Sequence, residues 1–455
     1  MDSAEVDEVR SQLDALSRAL SEERFRHVAG LEPRPRIAAI FEAHAVAASR
    51  DTALALREKG EGDLASRVAA LTADRAAAGE EETWRAAEST ASGQGPDGRI
   101  GMADAALAAL HDRDPERRRA LGNAVAEAAR SASPHREAAA EARAAARASL
   151  GLTPPWEDVV QGDEVLAASE PAWRDVVGWL AHHEGMEPPG RGDLDRSGLL
   201  WLLSFRDHDG LFRPAPLNQV VLDGFDGLGL DVRRVRLDAP ARAAKWPGAH
   251  AFEGRLSLRR QGGAADWIDL HDAAGRAAAA ALTRPATRDT ALPAAAGALG
   301  AWLLLEPRYL QDATGLDRKR SRDVVRRLAL RLLFQLRAHA AALRVAAEVE
   351  RGTAGKAWEE AHVEALSLAT LARWPGGLAA RDADAAAHRA ALAGAAWAAS
   401  LRLELRDRFD EDYWRNPRTG EALAGRIAAG SPGPEKERPP LVFAAEALGA
   451  LLGGA

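Results

Sequence analysis

The stretch of the chain that decides the fold is residues 266–310, which read DWIDLHDAAGRAAAAALTRPATRDTALPAAAGALGAWLLLEPRYL. It contains two runs rich in alanine and leucine, 266–283 and 289–306, on either side of a short segment around Pro285. Alanine and leucine are among the strongest helix formers, whereas proline cannot continue a helix. The stretch therefore predicts two consecutive helices.

The residues immediately before this helix pair predict a β-strand. Arg255-Leu-Ser-Leu-Arg-Arg260 alternates polar and apolar side chains, which is typical of a half-buried strand, and Gln261-Gly-Gly263 ends it. We expect the two helices to lie side by side over this strand.

Most of the remaining sequence also predicts helices. Alanine, arginine and glutamate are abundant and β-branched residues are scarce, a composition that favours helix over strand. The turn formers of residues 92–98 predict a loop, and Asp163 and Ser321 are candidate helix caps. The further helical segments that the pattern predicts are 4–29, 35–58, 63–92, 102–112, 114–131, 134–149, 163–185, 193–206, 321–350, 355–374 and 382–408.

One interruption divides this helical pattern. Thr153-Pro-Pro-Trp156 breaks the periodicity, and 455 residues are enough for one large domain or for two lobes. We predict an N-terminal helical lobe over residues 1–150 and a second helical lobe over residues 151–455.

Composition excludes several classes of function. The chain has no cysteine, which excludes disulfides, a cysteine-ligated metal and a thiol nucleophile. Its net charge of −7 argues against a nucleic-acid partner. The sequence has no apolar run of about 18 residues and begins without the apolar core of a signal peptide, so we expect a cytoplasmic protein with no membrane partner.

Several local motifs occur in an order that is known from one group of enzymes. These segments are Trp156–Trp173, Gly227-Leu-Gly-Leu-Asp231, Lys245-Trp-Pro-Gly-Ala-His250, 291–310 and Asp412–Gly420. Over roughly residues 150–425 the chain resembles the helical gluzincin metallopeptidases, the group of thimet oligopeptidase and oligoendopeptidase F. The resemblance implies a mainly α, bilobed zincin-like fold with a small β-sheet beside a central cleft.

The resemblance places the zinc helix at residues 266–283. In such peptidases this helix carries His-Glu-x-x-His, in which the histidines bind zinc and the glutamate is the general base. If Gly275 marks the glycine of His-Glu-x-Gly-His, the first ligand position holds Asp272, the general-base position holds Ala273 and the second ligand position holds Arg276.

An alternative register begins one residue earlier. It keeps His271 as the first ligand and Asp272 as a short general base, but it makes Gly275 the second ligand. The third ligand, a glutamate of a later helix in these peptidases, falls on Ala294. Neither register supplies the three protein ligands that a hydrolytic zinc ion needs.

Arg276 also places a fixed positive charge where the zinc ion would lie, and this charge repels a cation. We therefore expect a pseudoenzyme, without zinc or another cofactor and without peptidase activity by this mechanism. Lone His271, beside an aspartate on a helix, is interpreted as a hydrogen-bonded structural group.

The strand at 255–260 predicts a remaining binding function. In active relatives such a strand pairs with the backbone of the peptide substrate, which requires no metal. We expect a peptide or protein ligand in the cleft, or an active peptidase relative as partner. The candidate binding residues are Arg255, Ser257, Arg259 and Arg260. Their arginines would favour acidic segments, or they are charges that protect a sheet edge.

Two other functions stay open on the sequence. The chain could be an active zinc peptidase that recruits His250, His271 and Glu306 as atypical ligands. It could instead be an unrelated all-α scaffold, in which the helices 266–283 and 289–306 would not lie side by side over strand 255–260.

Three other polar clusters are interpreted as local structure. His182-His183-Glu184 is predicted to be a helix end and Arg206-Asp-His-Asp-Gly210 a polar turn. Arg318-Lys-Arg-Ser-Arg322 is interpreted as a solvated turn at a helix start, although an anion site is an alternative.

Overall fold

The computed structural model of the protein describes residues 2–152, 156–186, 194–351, 356–434 and 437–453. Over these residues the protein is mainly α-helical with small β-sheets, as the sequence predicts. The helices are α1 (Ser3–Val28), α2 (Ile37–Ala43), α3 (Arg50–Glu58), α4 (Gly62–Thr90), α5 (Met102–His111), α6 (Pro115–Ser149), α7 (Trp156–His183), α8 (Arg196–Leu202), α9 (Pro214–Gly227), α10 (Gly263–Leu282), α11 (Ala291–Leu303), α12 (Pro307–Thr314), α13 (Arg318–Glu350), α14 (Lys356–Thr370), α15 (Ala385–Phe409), α16 (Pro417–Ala429) and α17 (Val442–Gly453).

The described strands form two small sheets. The strands are β1 (Ser92–Gly95), β2 (Gly98–Gly101), β3 (Arg236–Asp238), β4 (Gly248–Phe252) and β5 (Arg255–Arg259). β1 and β2 form an antiparallel hairpin, and the other three strands form a sheet in the order β3-β5-β4. β5 pairs in parallel with β3 and antiparallel with β4.

Several predicted element boundaries are wrong. The loop predicted at 92–98 contains the hairpin of β1 and β2, and the two helices predicted at 114–131 and 134–149 form the single helix α6. Pro134 lies inside α6, where it removes one backbone hydrogen bond. The helix continues because its alanine face is buried, and Arg136 lies over the ring of Trp84 at 4.3 Å.

The two helix caps predicted from the sequence are also wrong. Asp163 lies within α7, where its carboxylate pairs with Arg344 of α13. Ser321 lies in the first turn of α13, and the N-cap of that helix is Asp317. The Asp317 carboxylate accepts hydrogen bonds from the backbone N–H groups of Lys319 and Arg320, which have no partner within the helix.

The apolar residues form two principal clusters. The first consists mainly of residues between Val6 and Ala78, on α1 to α4 and the connections between them. The second extends from Ala91 to Leu448 and contains the apolar faces of α10, α11, α13 and α15. The predicted lobe boundary near residue 150 stays a prediction.

Two glycines begin α10 directly after the sheet. Gly262 and Gly263 have φ values of +87° and +62°, which favour glycine, and a Cβ atom on Gly263 would lie 2.1 Å from Oδ1 of Asp209. Asp266 Oδ1 accepts a hydrogen bond from the backbone N–H of Gln261 at 2.6 Å. The strand therefore ends where the sequence predicts, and α10 turns back over the sheet.

Glycines also bring α10 and α11 into close contact. A Cβ atom on Gly275 would lie 2.3 Å from the backbone oxygen of Ala296, and one on Gly297 would lie 2.6 Å from the backbone oxygen of Asp272. A Cβ atom on Gly300 would lie 2.8 Å from the backbone oxygen of His271. The two helices therefore lie side by side, backbone against backbone, as expected for 266–283 and 289–306.

No helix within the described ranges combines the length and apolar character needed to cross a membrane.

Candidate functional site

A cavity of about 150 Å³ lies beside α10, at the positions that the sequence assigns to the zinc helix. We call it the α10 cavity. Its wall comes from β4, α10, α11, α13, α15 and α17. The residues that line it are Ala249, Ile268, Asp269, Asp272, Arg276, Ala298, Ala301, Trp302, Leu332, Gln335, Leu336, His339, Ala391, Ala395 and Leu448.

An ion pair between two of the predicted site residues lies in this wall. Asp272 and Arg276 are one helical turn apart on α10, and Arg276 Nε donates to Asp272 Oδ2 at 2.5 Å. Each side chain is 31% exposed. The guanidinium neutralises the carboxylate at the positions where the resemblance would place the first and second zinc ligands.

A second carboxylate of the same wall, Asp269, holds its proton to a higher pH than an ordinary aspartate. Burial raises the pKa of Asp269 to about 6, against the opposing effect of the Arg331 cation. Gln261 Nε2 donates a hydrogen bond to Asp269 Oδ2 at 2.7 Å. At neutral pH this group is largely ionised, and in mild acid it becomes neutral.

Two histidines, His339 and His388, contact each other beside the cavity, and His339 lines it. Nδ1 of His339 lies 2.9 Å from Nδ1 of His388, and His388 Nε2 donates to the backbone oxygen of Asp382 at 3.0 Å. The two Nδ1 atoms are within hydrogen-bonding distance, so one ring donates to the other. Burial, helped by His388 and Arg276, lowers the pKa of His339 to about 3, so its imidazole is neutral.

His271 lies on another face of α10, away from Asp272. It is fully buried, its Nδ1 donates to the backbone oxygen of Trp267 at 2.7 Å, and its Nε2 lies 3.0 Å from the hydroxyl of Tyr309. Burial lowers the pKa of His271 to about 4. His271 is therefore buried and hydrogen-bonded within the protein, which agrees with its interpretation as a structural group.

The other predicted zinc-site positions are packing positions. Ala273 is buried, and Gly275 lies against the backbone of Ala296. Ala294, the predicted third-ligand position, lies against Gly394 of α15, where a Cβ atom on the glycine would be 2.5 Å from that of Ala294. The α11 residues that share the cavity with Asp272 and Arg276 are Ala298, Ala301 and Trp302.

The donor set beside α10 does not fit a hydrolytic zinc ion. Within the ranges that the structure describes, no group of three or more His, Cys, Asp or Glu side chains is arranged to hold a metal. Asp272 is neutralised by Arg276, and the α11 wall offers alanine and tryptophan carbon atoms. Zinc requires three nitrogen, sulfur or carboxylate ligands at about 2 Å.

The atypical ligands considered for an active peptidase have other partners. His250 Nε2 donates to the backbone oxygen of Pro247 at 2.9 Å. Glu306 pairs with Arg402 at 2.6 Å. With His271 bound to Trp267 and Tyr309, the three side chains do not form a metal-binding group.

The strand predicted at 255–260 does not lie at a sheet edge, because β5 is the central strand of its sheet. Residues Arg255 to Ser257 pair with β3, and the whole strand pairs with β4. Ser257 is fully buried and its Oγ has no hydrogen-bond partner. A peptide therefore cannot add to β5, and β3 and β4 supply the sheet edges.

The arginines of this segment hold parts of the fold together. Arg255 pairs with Glu22 of α1 at 2.9 Å and lies over the ring of Phe25. Arg259 pairs with Asp104 of α5. Arg260 lies 3.9 Å from Asp266, which is buried at the start of α10. These ion pairs link α1, α5 and α10 to the sheet.

Two polar clusters have the local roles predicted for them. His183 is the last residue of α7 and stacks on Trp179 with the ring centroids 5.2 Å apart. Arg206–His208 is a short 3-10 turn in which Arg206 pairs with Asp209 at 3.1 Å. Arg318 and Arg322 of the third cluster line a different cavity, which is described below.

Sequence reasoning missed His339 and His388. They are 49 residues apart on α13 and α15, and each occurs alone among alanines. Nothing in the sequence brings the two imidazoles together, since their contact depends on how the two helices pack. The sequence did indicate that His339 lies on a helix with a long apolar face, which is a sign that this histidine is at least partly buried.

Comparison with solved structures shows the fold. The BsuCP crystal structure matches with a TM-score of 0.57 over 98% of this chain and 99% of that one, at 12% identity. A proposed oligoendopeptidase F from Bacillus anthracis str. Ames matches with a TM-score of 0.55 over 100% of this chain and 87% of that one, at 12% identity. A second proposed oligoendopeptidase F gives 0.56 over 100% and 96%, at 14% identity. No family model and no curated protein sequence matches the chain.

Proposed function

We propose that this protein, which has the fold of oligoendopeptidase F-like proteins, is a catalytically inactive metallopeptidase homologue that binds a peptide or protein segment. The observation that carries the proposal is the Asp272–Arg276 ion pair in the α10 cavity, at the positions where the resemblance places two zinc ligands. The unrelated-scaffold alternative has no support from the fold, because α10 and α11 lie side by side and α10 packs on the sheet.

The chemistry of the α10 cavity supports inactivity. Peptide hydrolysis of this class requires a zinc-bound water, a general base beside it and an open coordination position. Ala273 provides no base, and Arg276 offers five donors and no lone pair to a cation. His339 could accept a proton, but the described residues around it include no hydroxyl or thiol nucleophile in the cavity wall.

A binding role is supported by the edge of the sheet. The α10 cavity, at about 150 Å³, is smaller than the roughly 300–1,000 Å³ of typical ligand pockets, so it would not hold a peptide by itself. β4 is an edge strand, and its Ala249 lines the cavity. A segment that adds to β4 by backbone hydrogen bonds would pass beside Asp272 and Arg276.

The first test is the metal content of the purified protein, measured by mass spectrometry before and after loading with Zn²⁺. We expect less than about 0.1 zinc ion per chain, because fewer than three ligands converge. The matched control is the variant Asp272→His, Ala273→Glu, Arg276→His and Ala301→Glu, which supplies a complete donor set on α10 and α11. About one zinc ion per unaltered chain would overturn the proposal.

The second test uses unfolded, carboxymethylated casein as the peptide source. We expect casein to remain uncleaved and to slow hydrogen exchange of the backbone amides in β4, because strand addition protects an edge. The β1–β2 hairpin, in which each strand pairs with another strand on one side only, is the internal control and should be unchanged. Cleavage of casein, or protection of the hairpin to the same extent as β4, would count against the proposal.

A further inference from the structure

A second cavity, of about 770 Å³, is lined by an excess of arginine. We call it the arginine cavity. It is bounded by the start of α12, the first turns of α13, the end of α15 and the end of α17. Its charged lining residues are the six arginines Arg308, Arg318, Arg322, Arg326, Arg402 and Arg406 and the three acids Glu306, Asp312 and Glu411.

Three of these arginines have no acidic partner among the described residues. Arg308 on α12 and Arg318 and Arg322 on α13 make no side-chain ion pair or hydrogen bond within those ranges. Surface arginines of this protein commonly pair with an acid, as Arg320 does with Asp317 on the same helical turn. The cavity therefore has guanidinium groups available for a ligand.

The inner wall is built around a buried carboxylate. Glu306 is 1% exposed, and its two oxygens accept hydrogen bonds from Arg402 Nε at 2.6 Å and Arg406 Nη1 at 3.4 Å. Because Glu306 engages Arg402 through Nε, the terminal nitrogens of Arg402 form no hydrogen bond with a described residue. A single carboxylate thus holds two cations in place and neutralises one of them.

The acids at the rim do not neutralise the remaining charge. Asp312 pairs with Arg415, which is not a lining residue, and Glu411 lies 3.7 Å from Arg406. The uncharged part of the wall includes Leu305, Val325 and Leu451. The cavity therefore presents several fork-shaped cationic donors beside an apolar surface.

We propose that the arginine cavity binds a phosphate-bearing small molecule of about the size of a nucleotide. Guanidinium groups match the geometry of phosphate oxygens with paired N–H donors, and a phosphate carries up to two charges and several acceptors. The volume lies within the roughly 300–1,000 Å³ of small-molecule sites. The apolar wall would contact the uncharged part of the ligand.

The test is isothermal titration of the full-length protein with inorganic pyrophosphate and with adenosine diphosphate. We expect each compound to bind at one site per chain. The double variant Arg318→Gln/Arg322→Gln should raise the Kd of each compound by about tenfold or more, since a lost charge-assisted hydrogen bond is worth about a tenfold change in affinity. The matched control is Lys319→Gln/Arg320→Gln, which removes the same charge from the same helical turn outside the cavity. We expect it to change either Kd by less than about twofold.

Three results would overturn the proposal. The first is an absence of pyrophosphate binding at concentrations up to about 10 mM. The second is an equal loss of affinity in both double variants, which would show attraction to net charge rather than a site. The third is tighter binding of a tetraglutamate peptide than of either phosphate compound, which would assign the cavity to an acidic protein segment.

Discussion

The α10 cavity and the arginine cavity are both bounded by α13, α15 and α17, but the arginines in their walls differ in whether an acidic side chain pairs with them. In the α10 cavity the guanidinium of Arg276 is satisfied within the protein by Asp272. In the arginine cavity Arg318 and Arg322 have no partner among the described residues. The difference supports both proposals, which are inactivity at the α10 cavity and anion binding in the arginine cavity.

The two cavities also differ in rigidity. The α10 cavity lies on helices that touch backbone to backbone through Gly275 and Gly297. The arginine cavity is lined by long, exposed side chains at the first turns of α12 and α13. Substitutions beside α10 should therefore change stability, whereas substitutions in the arginine cavity should change binding.

The largest expected effect is at Gly275. In Gly275→Val the new side chain would overlap the backbone of Ala296, which cannot move without separating α10 from α11, and we expect a loss of about 3 kcal/mol in the free energy of unfolding. The measurement is urea unfolding followed by circular dichroism. The control is Gly79→Ala in α4, where a Cβ atom has nothing within 4 Å and should stabilise the helix by about 0.5–1 kcal/mol. Equal stability of the two variants would show that the helices are not in backbone contact.

A smaller, pH-dependent effect is expected at Asp269. Its pKa is raised from 3.8 to about 6, so the folded protein keeps a proton that the unfolded chain has lost between these values. The stability that the protonated group contributes is therefore present below about pH 4 and is lost as pH rises through about 6. Asp269→Asn should remove this loss, so that the variant gains roughly 1–2 kcal/mol relative to the unaltered protein between pH 4 and pH 7.

The measurement is the free energy of unfolding of both proteins at several pH values in that window. The control is Arg318→Gln in the arginine cavity, which should change stability by less than about 0.5 kcal/mol at each pH, because the exposed side chain has no ionic partner to lose. A constant difference between Asp269→Asn and the unaltered protein across the window would show that Asp269 titrates normally.

Much of the fold could be predicted because its determinants are local. The alanine-rich runs of α10 and α11, the strand of β5 and its end at Gly262-Gly263 follow from helix propensity, alternation and turn chemistry. Boundaries were predicted less well. Asp317 caps α13 in place of the predicted Ser321. An aspartate side chain, like that of a serine, can accept hydrogen bonds from the first N–H groups of a helix, and Asp317 directly precedes the first residue of α13.

The candidate site was predicted only in part. The pairing of Asp272 with Arg276 follows from the sequence, since the two residues are one helical turn apart and their pairing is local. The central place of strand 255–260 in its sheet was not predicted, because β5 pairs on its second side with β3, which lies 19 residues earlier in the chain. Alternation shows that a strand is half-buried and not how many neighbours it has.

The sequence by itself determined that this protein is mainly helical, that an aspartate and an arginine lie one turn apart on α10, and that cysteine chemistry is absent. Helix propensity, side-chain identity and spacing of one turn are properties of nearby residues. Only the tertiary structure decided that His339 meets His388, that β5 is central, and that Arg308, Arg318 and Arg402 face one cavity. His339 and His388 are 49 positions apart, Glu306 and Arg402 are 96 apart, and the β3–β5 partners are 19 apart, so the packing of whole helices and strands determines these contacts.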